Sequence, residues 1–385
     1  MIRCSNSNMK GYYIVFDSSV NHNEGNGINN KIQQQIEALR NEGFSCSLIN
    51  LVDYWPFSWK NLSTPLKFLL TSFPSLMTLR TIDTSVDFLY IRKPFPCSPA
   101  LLFVLKYFKK HNKKIKIILE IPTYPYDVEQ SNTIVQKIKL YFDKKQRKKL
   151  KFFVDRIASF SKDERIFSIP TIQITNGVDL SKIPIVKKKE KKENEIHLIA
   201  VAQFGPWHGY DRLIKGLNLY YKNHKKTKTY LHLVGDGKEL DLYKNYIIDY
   251  KLEDYVYVHG KKFGNELTEI FNTADIAISS LGAHRINISL GSFLKSREYL
   301  ARALPIVSST KIDIIPEGFP YCLYVPEDES PIDIEALIQF YKNLQNEKNY
   351  TKKIRAFAEE HVGMDKTMQP VFKYLLETPL KETHE

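Results

Sequence analysis

Residues Ser289–Ser309 read SLGSFLKSREYLARALPIVSS, and the fold turns on how this stretch is read. A glycine turn, a helix beginning near Ser292 and a short apolar run, Leu304-Pro305-Ile306-Val307, follow one another. That is the pattern of a helix feeding a buried strand. Inside the helix, Lys295 and Glu298 stand three residues apart and so share a face. They lie near the end where unpaired backbone N–H groups attract anions. Two meanings are open: a solvated ion pair at helical spacing, or a clamp on a nucleotide, with amides and Lys295 for phosphate and Glu298 for ribose hydroxyls.

The same alternation extends outward in both directions. Downstream of residue 196, strands are predicted at His197–Ala202, Tyr230–Val234, Val256–His259, Asp275–Ser279, Pro305–Ser308 and Cys322–Val325, separated by helices. Upstream, Tyr12–Phe16, Phe44–Leu51, Phe88–Arg92, Ile115–Ile121, Arg156–Phe160 and Thr171–Thr175 read as strands, with a helix from about Gly27 to Asn41. Its predicted inner face is Ile28, Ile32, Ile36 and Leu39. Strand, helix, strand repeated in this way implies a parallel sheet covered on both faces. The charged, glycine-free run IPIVKKKEKKENE at 183–195 reads as a linker. The expectation is therefore an α/β protein of two tandem Rossmann-like, doubly wound domains, 1–182 and 196–364. Their interdomain cleft would face the carboxyl ends of both sheets. A last helix within 365–385 has no strand partner of its own and is expected to pack back on the first domain.

Length and composition bound the possible functions. A chain of 385 residues with 43% hydrophobic and 12% aromatic residues can bury two cores, which excludes a disordered protein. Cys4, Cys46, Cys97 and Cys322 are far apart and suggest neither a disulfide framework nor a zinc site. The first ten residues, MIRCSNSNMK, lack the apolar core of a signal peptide. No apolar run reaches the roughly 18 to 20 residues of a membrane span. A cytoplasmic protein is expected on these grounds. The net charge of +13 is lopsided: residues 1–180 hold 26 Lys and Arg against 15 Asp and Glu. The first half is thus expected to meet something anionic. Within it, Lys137, Lys139, Lys144, Lys145, Arg147, Lys148, Lys149 and Lys151 alternate with Ile134, Ile138, Leu140, Tyr141 and Phe142. This suits a helix lying on an anionic membrane surface, or else a solvated charged face. Tyr54, Trp55, Phe57 and Trp59 could add an interfacial patch. No aromatic stacking motif accompanies the charge, so nucleic acid is not the expected partner.

Three glycine turns follow predicted strands. Gly25-Asn26-Gly27 stands between the first strand and first helix, where amides can approach phosphate. Gln203-Phe-Gly-Pro-Trp207-His208-Gly-Tyr places an aromatic and an imidazole in the turn after the second half's first strand. Val234-Gly235-Asp-Gly-Lys reads as a third such turn.

In its motifs the second half resembles glycosyltransferase family 4, the retaining GT-B glycosyltransferases. Ile174-Thr-Asn-Gly-Val-Asp looks like the family's NGVD entry to the C-terminal domain, and Leu231-His-Leu-Val-Gly-Asp-Gly is similar to its next glycine strand. Glu266–Ser280 resembles the segment ending in "aDi-x-i-x-pS", and Glu298-Tyr-Leu-Ala-Arg-Ala-Leu-Pro-Ile-Val looks like "EAmAxGxPVV". Asn26-Gly27-Ile28 occupies the place of the N-terminal glycine loop. The resemblance implies a nucleotide-sugar donor as co-substrate, no bound metal, and a lipid-linked or oligosaccharide acceptor in bacterial surface-polysaccharide synthesis. Together with the basic surface of the first half, the expectation is an enzyme peripheral on the inner face of the plasma membrane. The resemblance gives Glu298 to ribose and Gly27, with Asn26, to the diphosphate; Trp207, Gly235 and Gly291 would line the donor site. The chain departs from the family where Leu290 replaces the first Glu of the Glu, seven residues, Glu pattern, and where Gln203 and His208 stand for the usual Arg and Lys. Lys295, with His208 and Arg297, is expected to supply the missing positive charge. In place of the family's His on the acceptor loop, the residues 119–127 offer Glu120 or Asp127 as base, or a structural carboxylate. Otherwise the departing phosphate takes the acceptor proton. A nucleotide-sugar epimerase and a non-catalytic polyanion-binding protein on the same fold are the alternatives.

Overall fold

The computed structural model describes residues 9–16, 27–51, 79, 82–121, 124–127, 133–187, 194–223 and 226–377. The chain divides into two units, residues 1–175 with 367–385, and residues 176–366.

The first unit is built on seven strands: β1 (Lys10–Val15), β2 (Ser45–Asn50), β3 (Phe88–Arg92), β4 (Lys116–Ile121), β5 (Arg156–Ser159), β6 (Arg165–Ile166) and β7 (Ile169–Gln173). Their order is β2-β1-β3-β4-β5-β7-β6, parallel throughout except for the β6–β7 hairpin, which no sequence signal announced. FLYIR and KIILEI in β3 and β4 are apolar almost without interruption because both faces are covered. Helix Gly27–Asn41 buries Ile32, Ile36 and Leu39 as its spacing predicts, whereas Ile28 is 41% exposed. The last helix, Gln369–Leu376, contributes Val371, Phe372 and Leu375 to this unit. Phe372 lies 5.9 Å from Phe44, and the Lys116 ammonium donates to the carbonyls of Tyr374 and Leu375 at 2.9 and 2.7 Å.

The second unit carries β8 (Glu195–Phe204), β9 (Lys228–Gly237), β10 (Val256–Gly260), β11 (Ile276–Ile278), β12 (Leu290–Gly291), β13 (Ile306–Ser308), β14 (Lys311–Ile312) and β15 (Cys322–Tyr324). Six form a parallel sheet in the order β10-β9-β8-β11-β13-β15, while β12 pairs with β14 apart from it. This is a doubly wound order whose direction reverses between β8 and β11, the place where open α/β sheets hold ligands.

Two expectations change here. The segment predicted as a linker, 183–195, begins inside the second unit: Val186 N–H donates to the Arg302 carbonyl at 3.0 Å. Its residues 188–193 lie outside the described residues. Nor is Val234–Gly237 a turn. It prolongs β9, with Ala202 opposite Gly235 and Phe204 opposite Gly237.

Candidate functional site

The site grows from the reversal point of the second sheet. After β8 the chain passes through a single 3-10 turn, Pro206–His208, and Gly209 into helix Tyr210–Lys222. Gly209 has φ 64°, and a Cβ there would come within 2.6 Å of the Leu281 and Gly282 backbone. Only glycine permits that approach. The loop after β11 is consequently packed onto the loop after β8: Leu281 N–H donates to the His208 carbonyl at 2.8 Å and Gly282 N–H to that of Trp207 at 3.2 Å. Arg285 holds the outside, contacting both Asp211 carboxylate oxygens at 2.9 Å and Glu329 Oε1 at 2.8 Å.

Within this frame three side chains converge. Gly205 N–H donates to His208 Nδ1 at 3.0 Å, which leaves the ring proton on Nε2. Burial, and then the neighbouring Lys295, push the His208 pKa down to about 3, so the imidazole is neutral and keeps one N–H to donate. Lys295 Nζ donates to the Tyr210 hydroxyl at 3.0 Å. Burial lowers the Lys295 pKa to about 7, and among the described residues no carboxylate lies within ion-pair distance of it. A cation drawn from water without a counter-charge is unfavourable unless an anion arrives.

Glu298 faces another partner. Arg302 Nε and Nη2 hold its Oε1 at 3.0 and 2.9 Å, while Oε2 accepts no hydrogen bond from the described residues. Lys295 and Glu298 therefore do not pair with each other, and the surface ion pair allowed by their spacing is not formed. Their helix, Leu294–Ala301, is fixed from behind. The Tyr299 hydroxyl accepts from Val201 N–H at 3.0 Å, and Ser296 Oγ lies 2.8 Å from Ser279 Oγ.

Beside Val201 opens a cavity of about 420 Å³, lined by residues 201–203 at the end of β8, 234–236 of β9 and 261–263 after β10. Gly235, at φ 138°, shapes it: a Cβ would fall 1.8 Å from the Ala202 carbonyl oxygen. Its part is thus to let β9 run close to β8 at the cavity wall. Lys261 reaches Asp236 at 3.3 Å, and Phe263 is 68% exposed at the rim. His197, His232 and His259 stand in a row across β8, β9 and β10, with successive ring nitrogens 2.9 Å apart.

Several predicted site residues have other work. Arg297 is fully buried: its guanidinium takes Asp313 at 2.7 and 2.8 Å, the Phe293 carbonyl at 3.1 Å, Ser292 Oγ at 3.1 Å and the Asn176 carbonyl. It fixes the loop before the helix, with its guanidinium engaged inside the protein. Gly291 is buried in β12, and the Phe293 ring occupies the space where its Cβ would lie, 2.1 Å away. Trp207 is 40% exposed, with its indole against Gly205. In the first unit Glu120 is 0% exposed and bound by Lys31 at 3.1 Å, Arg92 at 3.3 Å and the Tyr13 hydroxyl at 3.3 Å. Burial raises its pKa, but Lys31 and Arg92 more than reverse this and the net shift is downward. These contacts hold it as a buried, ion-paired carboxylate. Asp127 is similarly held by Arg147 at 2.7 Å and Lys144 at 3.1 Å. Gly27 opens its helix; Asn26 and the patch at 54–59 lie outside the described residues. Tyr210, the hydrogen-bond partner of Lys295, is the member of the cluster that the sequence alone does not single out. Its only local signal is its place at the start of a helix after a glycine, and its partner lies 85 residues away.

These features define a class, the GT-B glycosyltransferase fold. The chain is similar to a glycosyltransferase from Rickettsia africae ESF-5, with TM-score 0.62, 11% identity and 96% and 98% of the two chains covered. A sucrose-phosphate synthase from Thermosynechococcus elongatus matches with TM-score 0.62, 16% identity and coverage of 95% and 99%. Anabaena Alr3699/HepE, in complex with UDP-glucose, matches with TM-score 0.59, 14% identity and coverage of 95% and 99%. No curated protein matches the sequence. Residues 181–317, which hold the whole cluster from His208 to Glu298, match the family model of the glycosyl transferases group 1. The second unit thus carries the match to the group 1 glycosyl transferases, and the chain has the GT-B fold.

Proposed function

We propose that the protein moves a sugar, with retention, from a nucleotide-sugar donor to a lipid-linked or glycan acceptor in the synthesis of a bacterial surface polysaccharide. It acts in the cytoplasm at the inner face of the plasma membrane, with the second unit holding the donor and the first the acceptor. The observation that carries this reading is Lys295, a half-buried cation with no counter-charge among the described residues, beside the Nε2–H donor of His208. Both suit a diphosphate. As the bond between the anomeric carbon and the β-phosphate oxygen breaks, negative charge grows on the leaving diphosphate. Donors aimed at that charge lower the barrier as well as bind. Glu298 Oε2 takes the ribose hydroxyls, and the cavity beside Val201 takes the base. With Glu120 and Asp127 committed to buried or bidentate ion pairs, the leaving phosphate oxygen accepts the proton of the acceptor hydroxyl as the new glycosidic bond forms. Uridine diphosphate sugars are the first donors to try, because Anabaena HepE was solved with UDP-glucose; the lipopolysaccharide galactosyltransferase WaaB, similar with TM-score 0.60 and 15% identity, favours a surface glycan.

The test is incubation of the full chain with a panel of nucleotide sugars, reading slow donor hydrolysis. Free nucleoside diphosphate supports transfer, whereas an isomerised sugar, or no reaction with any donor, refutes it. Glu298→Ala should weaken nucleotide binding by about tenfold, one lost charged hydrogen bond. Unchanged affinity would remove Glu298 from the donor site.

A further inference from the structure

Helix Ile134–Arg147 in the first unit is turned inside out. Its buried residues are Leu140 and a carboxylate, Asp143. Asp143 is held by Lys93 Nζ at 2.7 Å, Cys97 N–H at 2.7 Å and the Tyr126 hydroxyl at 2.7 Å. The opposite side presents Ile134, Val135, Ile138, Tyr141 and Phe142, between 39% and 78% exposed. At the helical period these five fall within an arc of about 120° directed away from Asp143. Phe152, 69% exposed, continues the apolar surface past the helix end.

Fraying does not explain the exposure. Thr133 and Gln136 form a reciprocal capping box at the N-terminus, at 3.2 and 3.0 Å, and the Asp143 contacts pin the third turn. An ordered helix thus holds an apolar face outward. Around it Lys137, Lys144, Lys145, Lys148 and Lys149 are all exposed, and the one acid between residues 133 and 153 is the buried Asp143. A nucleic acid would satisfy the lysines and leave the isoleucines in water. An apolar protein groove would satisfy the isoleucines and gain nothing from the lysines. The interface of an anionic bilayer takes both, apolar side chains at the acyl boundary and ammonium groups among headgroup phosphates.

We propose that this face, Ile134 to Phe152, is the membrane-docking surface of the protein and selects anionic lipid. The proposal deepens the membrane setting of the proposed function but rests on the first unit alone. Its test needs no glycosyl transfer. The full chain is sedimented with vesicles of phosphatidylcholine, with and without about 30 mol % phosphatidylglycerol, and nucleotide binding is followed separately by thermal shift. Binding is expected to the anionic vesicles only, and to fall at least tenfold between about 0.1 and 0.5 M salt. The double substitution Ile134→Glu with Ile138→Glu should weaken it about tenfold or more, and Lys145→Glu with Lys149→Glu should abolish the preference for anionic lipid. Both variants must retain the wild-type circular dichroism spectrum and nucleotide-induced thermal shift, which separates loss of docking from loss of fold. Equal binding to both vesicle types, salt-insensitive binding, or wild-type binding by the Ile134→Glu, Ile138→Glu variant overturns the proposal. So does a concentration-dependent dimer that this variant dissolves, since a second copy would then cover the face.

Discussion

Replacing Lys295 by Met keeps an unbranched side chain one atom shorter and deletes its charge, so it isolates the effect of a buried cation without a nearby carboxylate. Burial takes the Lys295 pKa from its ordinary 10.5 to about 7. At about 1.4 kcal/mol per pKa unit, the vacant site is destabilised by about 4 kcal/mol at pH 7. Because the folded pKa is the lower one, the unfolded chain binds more protons between pH 7 and 10.5. Stability therefore rises with pH through that window, and the penalty is complete below pH 7. Met loses the bond to the Tyr210 hydroxyl, worth about 1 kcal/mol, so a net gain of roughly 3 kcal/mol remains. Lys295→Met should melt higher than wild type at pH 7, with the difference vanishing near pH 10.5. Binding should move oppositely. A nucleoside diphosphate restores the counter-charge, and at pH 8.5 its arrival should draw about one proton from solution onto Lys295. Calorimetry in two buffers of different ionisation enthalpy measures that proton, which the Met variant should not take up. A Met variant that melts lower at pH 7 and binds nucleotide as well as wild type would refute the reasoning.

Other outcomes follow from neighbouring contacts. Tyr210→Phe should leave the fold intact and weaken nucleoside diphosphate binding about threefold to tenfold, since Lys295 loses the hydroxyl that aims it; titration calorimetry decides. Glu120→Gln strands Lys31 and Arg92 and should cost the first unit about 3 to 5 kcal/mol in urea unfolding, without shifting the pH profile of donor hydrolysis. Since its folded pKa is depressed, the stability that Glu120 provides is present at neutral pH and lost as pH falls below about 4.5. Gly235→Ala drives a methyl into the Ala202 carbonyl and should both destabilise the second unit by more than about 1 kcal/mol and abolish nucleotide binding, as read by thermal shift.

The alternation of strand and helix was legible because period and apolar run length depend only on local sequence. For the same reason Lys295 and Glu298 were found: three residues on one helix face is a local statement. What escaped depends on distant pairing. Gly235 was read as a turn because glycine after an apolar run signals one, but β8 runs on to Phe204 and pulls the glycine into its ladder. Arg297 looked like phosphate chemistry, yet its charge is spent on Asp313, sixteen residues on. The same reading could not place Tyr210 opposite Lys295. The tail's interior residues at 371, 372 and 375 have plain helical spacing, while the sheet they cover is declared more than 190 residues earlier.

That last arrangement bears on how the protein is made. The chain leaves the first unit after Thr175 and returns at Thr367, and inside the second unit the two crossing segments lie side by side: Val178 N–H donates to the Val362 carbonyl at 2.9 Å and Met364 N–H to that of Val178 at 3.0 Å. The second unit is thus an insertion whose ends meet, and the first unit is the interrupted one. On the ribosome, at about 5 to 20 residues per second, the second unit can complete itself while the earlier-synthesised sheet still waits, for roughly ten to forty seconds, for the helix that closes it. Throughout that interval the surface later covered by Val371, Phe372 and Leu375 is open to solvent, which makes the nascent first half the natural client of a chaperone.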